Sequence, residues 1–131
     1  MNATANSPVK YPNTGFVPGN GSPNCRPIVA PTPGGWTEPA IFEWELRGEA
    51  WTDEHPHSEY NFVIEGKLFV EAGGVTVEVG AGEAVQVPPG AIGKYWAPDY
   101  ARMVAVYGPS KGEASRKLGY EKLGGGGGGV G

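Results

Sequence analysis

Between Ile41 and Tyr107 the chain alternates short apolar runs with glycines and prolines, and nowhere there does it sustain the apolar repeat of an amphipathic helix. Val75, Val77 and Val79, interleaved with Thr76 and Glu78, carry the period of two that belongs to a strand with one buried face. Further strands are predicted over Ile41 to Arg47, Trp51 to His55, Phe62-Val63-Ile64, Lys67 to Val70, Glu83 to Val87 and Ala101 to Tyr107. Glu65-Gly66 and Gly73-Gly74 predict tight hairpins, Gly80-Ala-Gly82 ends the valine strand, and Pro88-Pro89-Gly90 makes a turn in which proline presets φ. About eight short strands at regular spacing specify an all-β sandwich or barrel.

The 131 residues suffice for one domain. Residues 1–40 hold most of the prolines, together with asparagines and glycines, and read as an extended arm that cannot order itself. Within it, Pro27-Ile-Val-Ala-Pro31 suits an extended segment that pairs with a sheet edge of its own barrel or of a neighbouring subunit, the alternative being a solvated tail. Residues 41–109 are the predicted barrel. Residues 110–131 form a C-terminal segment: Glu113 to Leu123 suits a short surface helix interrupted at Gly119, and Gly124 to Gly129 is a polyglycine run expected to be flexible.

A net charge of −4 with no lysine or arginine run argues against nucleic acid as a partner. Cys25, the one cysteine, cannot staple the fold, no secretory h-region opens the chain, and no apolar stretch approaches the roughly 20 residues that span a bilayer. The expected protein is cytoplasmic, with a small-molecule ligand and no membrane partner.

His55-Pro-His57-Ser-Glu59-Tyr-Asn-Phe-Val-Ile-Glu65-Gly66, followed by Gly80-Ala-Gly82-Glu-Ala-Val-Gln-Val-Pro88-Pro-Gly90, resembles the two motifs of a cupin. Phe42-Glu-Trp44-Glu, Tyr95-Trp96 and Arg102 add a resemblance to the small single-domain subgroup that includes ureidoglycine aminohydrolase and ethanolamine-utilisation relatives. The resemblance implies a double-stranded β-helix, or jelly roll, with the site at the barrel mouth. It also implies metal-binding histidines and a glutamate in the first motif and one more histidine in the second. That last position is Gly93 here, which offers no ligand.

His55 and His57 are the chain's only histidines, and with Glu59 they occupy alternate positions. Imidazoles and a carboxylate suit Mn, Fe, Ni or Zn. Residues two apart on a regular strand are separated by about 6.8 Å, so three consecutive inward side chains meet at one ion only if the chain bends. The usual family spacing, applied backwards from Glu59, gives a second register in which Asp53, His55 and Glu59 are the donors. Both registers stand at this point, as does a site that has lost its metal. Lys94 is the candidate base, and Asp53, Tyr60, Trp96 and Arg102 are candidates for holding the ligand, with Trp51 and Tyr95 as further wall. Arg102 shares a strand face with Val104 and Val106, and pointing inward it would pair with Glu59 or an anionic substrate. Tyr60, Phe62 and Ile64 form an apolar face opposite Glu59 that needs a cover, for which a homodimer is the economical answer.

Three functions compete on these residues: a metal-dependent enzyme acting on a small polar metabolite, a metal-free cupin binding an anionic or sugar-like ligand, and an assembly module whose arm exchanges between subunits.

Overall fold

The computed structural model describes residues 6–124, and over them the chain forms nine strands and no helix. These are β1 (Cys25–Val29), β2 (Ala40–Leu46), β3 (Glu49–Glu54), β4 (Glu59–Ala72), β5 (Val75–Gly80), β6 (Ala84–Val87), β7 (Ile92–Ala97), β8 (Ala101–Tyr107) and β9 (Arg116–Lys122). All pairings are antiparallel, and the strand order runs β1-β2-β8-β4-β7-β3-β9, with β5 and β6 also on β4. The result is the curled sheet of a double-stranded β-helix.

Strand β4 is the hinge of this architecture. Its first half pairs with β8 and β6, and its second half with β5 and β7, so one 14-residue strand serves both sheets. The hairpin expected at Glu65-Gly66 is therefore absent. Gly66 does adopt a positive φ of 83°, but it does so inside the strand, beside a register shift against β8. Such an irregularity bends a strand and increases its twist without reversing it. A Cβ at position 66 would lie 2.1 Å from the Tyr100 carbonyl oxygen, and the amide of Lys67 donates to that same oxygen at 2.9 Å. Only glycine fits where the backbone crosses so closely.

The core consists of the inward-facing members of these strands, among them Trp44, Leu46, Val63, Leu68, Val70, Tyr95, Met103 and Ala105. The valine strand fits this pattern less well than its alternation suggests. Val79 is buried, but Val75 and Val77 are 64% and 39% exposed, because β5 is an edge whose only strand partner is β4.

The arm is partly built into the sheet. Strand β1 pairs with β2 of its own barrel, Val17 bridges to Cys25, and Trp36 bridges to Ser110. The helix expected over Glu113 to Leu123 is instead strand β9, which adds to β3 with a register shift between Thr52 and Asp53. Local composition there is ambiguous, and the open edge of β3 decides it by offering a row of backbone partners. The polyglycine run beyond Gly124 lies outside the described residues. No helix among the described residues is long and apolar enough to cross a membrane.

Candidate metal and ligand site in the barrel

Three donor side chains meet inside the barrel. Asp53 comes from the end of β3, His55 from the connection that follows, and Glu59 from the first position of β4. One ligand atom from each lies within 4.8 Å of the other two. The bend that a single strand could not supply comes from Pro56 to Ser58, which carry the chain across from β3 to β4. The second motif holds that bend in place: the amide of Gly90, in the Pro88-Pro89-Gly90 turn, donates to the His55 carbonyl at 2.8 Å.

Each donor is oriented by a further group. The Trp51 indole donates to Asp53 Oδ2 at 2.7 Å. Ser115 Oγ meets His55 Nδ1 at 2.6 Å, which directs Nε2 toward the two carboxylates. Asn61, fully buried, donates through Nδ2 to Glu59 Oε2 at 2.8 Å and accepts from the Trp44 indole at 2.7 Å. This leaves Glu59 Oε1 as the outward-reaching oxygen. His55 Nε2 stands 3.1 Å from Asp53 Oδ2 and 2.9 Å from Glu59 Oε1. One imidazole N–H cannot satisfy both, and Glu59 Oε1 has no well-directed hydrogen bond. Burial works against charge on His55, but hydrogen bonds and charge from Asp53 and Glu59 outweigh it and push the imidazole up to about 10.

Two buried oxygens here, Glu59 Oε1 and the Tyr95 hydroxyl, lack a well-directed hydrogen bond. A cation beside the triad would satisfy the first, and a nitrogen donor with two carboxylates is a set that divalent transition ions accept. The residues therefore fit a metal ion.

The triad opens onto a cavity of about 340 Å³. Its walls are mostly aromatic and apolar, with Phe42, Trp44, Trp51, Tyr107 and Ala105, and Ser22, Pro23 and Cys25 of the arm close one side. Lys117 of β9 reaches the cavity over the Trp51 ring, its Nζ 5.3 Å from the ring centroid.

Of the two ligand registers, the structure brings together Asp53, His55 and Glu59. His57 stands apart from them. It is 5% exposed, stacks on His55 and Tyr107 with ring centroids 4.9 and 5.0 Å away, and meets Trp36 edge-on. Neither of its ring nitrogens has a hydrogen bond, and burial, with charge on His55, pushes its pKa down. It packs as a neutral aromatic ring.

Four other candidates lie on the outside of the barrel. Along β7, Gly93, Tyr95 and Ala97 are buried and point inward, so Lys94 and Trp96 point outward, the lysine 5.6 Å from the Trp96 ring centroid. Along β8 the inward set is Ala101, Met103 and Ala105. Arg102 consequently faces out with Val104 and Val106, and it bonds Glu43 at 2.8 Å and Glu65 at 3.3 Å, not Glu59. Tyr60 is 48% exposed, on the face of β4 opposite Glu59. In each case strand parity, fixed by the buried neighbours, settles the direction. The lysine that does reach the cavity, Lys117, sits in the segment expected to be helical. Asn61 was legible only as the inward partner of Glu59 two residues on.

Residues 40–107 match the family model described as "Cupin domain". No curated protein sequence is significantly similar to the chain. Among solved structures, the EutQ protein of Clostridium difficile is similar at 22% identity and a TM-score of 0.56, over 71% of this chain and 68% of that one. A cupin-like protein of Thermotoga maritima is similar at 18% identity and a TM-score of 0.63, over 76% and 78%. KdgF of a Halomonas species is similar at 19% identity and a TM-score of 0.59, over 72% and 87%. At these identities the likeness is one of fold.

Proposed function

Because the chain belongs to the cupin family, we propose that it holds a divalent transition metal on Asp53, His55 and Glu59 and acts on a small polar metabolite bound in the barrel cavity. The observation that carries this reading is the convergence of the three donors within 4.8 Å at the cavity floor, each held by its own outer partner. Once bound, the ion supplies a Lewis acid for a carbonyl or carboxylate of the ligand. The chain's own residues do the rest. Ser115, Trp51 and Asn61 fix the donors, the aromatic walls exclude water, and Lys117 gives an anionic end of the ligand a cation to face.

Elemental analysis of protein purified without chelator tests this directly. Near-stoichiometric Mn, Fe, Ni or Zn in the wild type, lost in Asp53→Ala, His55→Ala and Glu59→Ala but kept in His57→Phe, is the expected result. Metal lost from His57→Phe and kept in Asp53→Ala would return the ligand set to His55, His57 and Glu59.

One observation favours a metal-free cupin that binds its ligand directly: protonated His55 already sits between the two carboxylates and neutralises part of their charge. In that reading Lys117 and the aromatic wall carry the binding. Absence of metal from every sample, with no thermal stabilisation on adding any of the four ions, would select it. A homodimer formed over Tyr60, Phe62 and Ile64, which are 48%, 48% and 38% exposed, completes the proposal, and light scattering of the purified protein checks it.

A further inference from the structure

The second motif offers glycine where a fourth ligand is expected, yet the space at that position is filled. Gly93 lies on the inner face of β7, directly across from Asp53 of β3. A Cβ built on Gly93 would meet three atoms of the Tyr95 side chain: Cε1 at 3.1 Å, the hydroxyl oxygen at 3.2 Å and Cζ at 3.3 Å. Residues two apart on a strand are about 6.8 Å apart, so the Tyr95 ring folds back along its own strand and carries its hydroxyl to the place that a side chain at 93 would occupy. The ring is fixed there. It is fully buried and meets Trp44 edge-on with centroids 5.4 Å apart.

The hydroxyl at the end of this ring is buried without a well-directed hydrogen bond. A buried polar atom is ordinarily satisfied, and an exception marks an unfilled role. The hydroxyl's place next to position 93, opposite Asp53, sets it at the edge of the triad, where burial, the charges of Glu59 and Asp53 and a hydrogen bond to Glu59 push the phenol's pKa up. Glu59 Oε1 is the other oxygen there without a well-directed hydrogen bond. The phenol can give its proton to this carboxylate, and a cation taking that proton's place would be held by both oxygens.

We propose that the Tyr95 hydroxyl is the fourth ligand of the metal site, standing in for a side chain at position 93. The inference rests on the reading of Asp53, His55 and Glu59 as metal donors and adds a residue to it. Tyrosine in place of an imidazole makes the donor set richer in oxygen: three oxygens and one nitrogen. Such a set shifts preference from Zn toward iron and manganese.

Tyr95→Phe removes only the oxygen, so the ring keeps its packing. With Fe(III) as the probe, the wild type should show a visible phenolate-to-iron charge-transfer band, and Tyr95→Phe should lack it. The dissociation constant for Mn(II), measured by calorimetry, should rise at least about tenfold in the variant. Metal-free Tyr95→Phe should melt within a few degrees of the metal-free wild type, since it loses a hydroxyl that has no well-directed hydrogen bond. A variant that binds Mn(II) equally well with the same iron spectrum would overturn the proposal and leave the three-donor reading standing. Weaker binding with an unchanged spectrum would place the hydroxyl outside the coordination sphere and overturn it equally. A wild type that binds neither ion would overturn both.

Discussion

Asn61 links the core to the site, and replacing it with leucine separates what each side of the link contributes. Leucine keeps the volume, so no large cavity opens. It removes both hydrogen bonds: the one accepted from the Trp44 indole at 2.7 Å and the one given to Glu59 Oε2 at 2.8 Å. Both partners are buried, Trp44 at 8% exposure and Glu59 at 5%, so water cannot replace what is lost. Leaving a buried polar group unsatisfied costs about 1–3 kcal/mol, and more when the group is charged. The indole and the carboxylate together should therefore cost about 4 kcal/mol, a large part of the roughly 5–15 kcal/mol available to a domain. With a urea dependence of about 2 kcal/mol per molar, the unfolding midpoint should fall by about 2 M. A double-mutant cycle with Trp44→Phe isolates the indole share, expected as a coupling of about 1–3 kcal/mol. Glu59 would also lose its holder, and metal affinity should drop about 10–100-fold. A stability loss below about 1 kcal/mol would refute the reasoning, since it would mean that the two groups find other partners or are not dry.

Gly66→Ala places a Cβ 2.1 Å from the Tyr100 carbonyl oxygen at a φ of 83°, so it should cost more than about 3 kcal/mol and show as loss of soluble protein; normal expression and melting would contradict the bend assigned to β4. His55, held charged up to about 10 against an ordinary 6.5, contributes stability to the metal-free protein that is fully present below pH 6.5 and is lost as the pH rises toward 10. Metal must displace that proton, so affinity should increase with pH over the same window, which calorimetry in buffers of different ionisation heat will read. Arg102→Ala leaves Glu43 with Arg26 alone and should cost about 1–2 kcal/mol in denaturation after allowing for its partial exposure, while Lys94→Ala should stay within about 0.5 kcal/mol; neither should change metal content, and a loss of metal in either would move the site outward.

The barrel was readable because its signals are local and repeated. Glycine and proline turns punctuate runs with a strand period, and β8 was expected at its observed bounds, Ala101–Tyr107. A local signal misleads where it has two structural meanings. Gly66 has the positive φ of a turn but sits in a continuous strand, and only the crossing of Tyr100 shows which is meant. Residues 116–122 have no strong pattern of their own and take their conformation from β3. Site residues divide in the same way. Asp53, His55 and Glu59 could be written down from spacing, but the choice between two registers waited for the bend at Pro56 to Ser58. Lys94, Trp96 and Arg102 are candidates by residue type alone, and strand parity places them outside. Tyr95 reads from sequence only as an aromatic, and its position relative to Gly93 follows from the way the ring folds back.

The distribution of charge supports reading the triad as a site and not only as a core ion pair. On the outer face, Glu43 is bracketed by Arg26 at 2.7 Å and Arg102 at 2.8 Å, so burial, which would push its pKa up, is outweighed and the carboxyl is held low. That carboxylate has two permanent cations and asks for nothing more. Asp53 and Glu59 on the inner face share a single imidazole, whose charge is conditional. Stabilising two buried carboxylates takes more than one positive partner, since removing each from water costs several kcal/mol. Trp51 and Asn61 supply neutral donors to one oxygen of each, Asp53 Oδ2 and Glu59 Oε2, and so reduce the deficit without closing it. Among the described residues no arginine lines the cavity, and its lysine, Lys117, lies over the Trp51 ring. An inner face built this way is left short of one cation, beside an oxygen that has no well-directed hydrogen bond. On the proposed reading, a divalent ion would supply that charge at the triad.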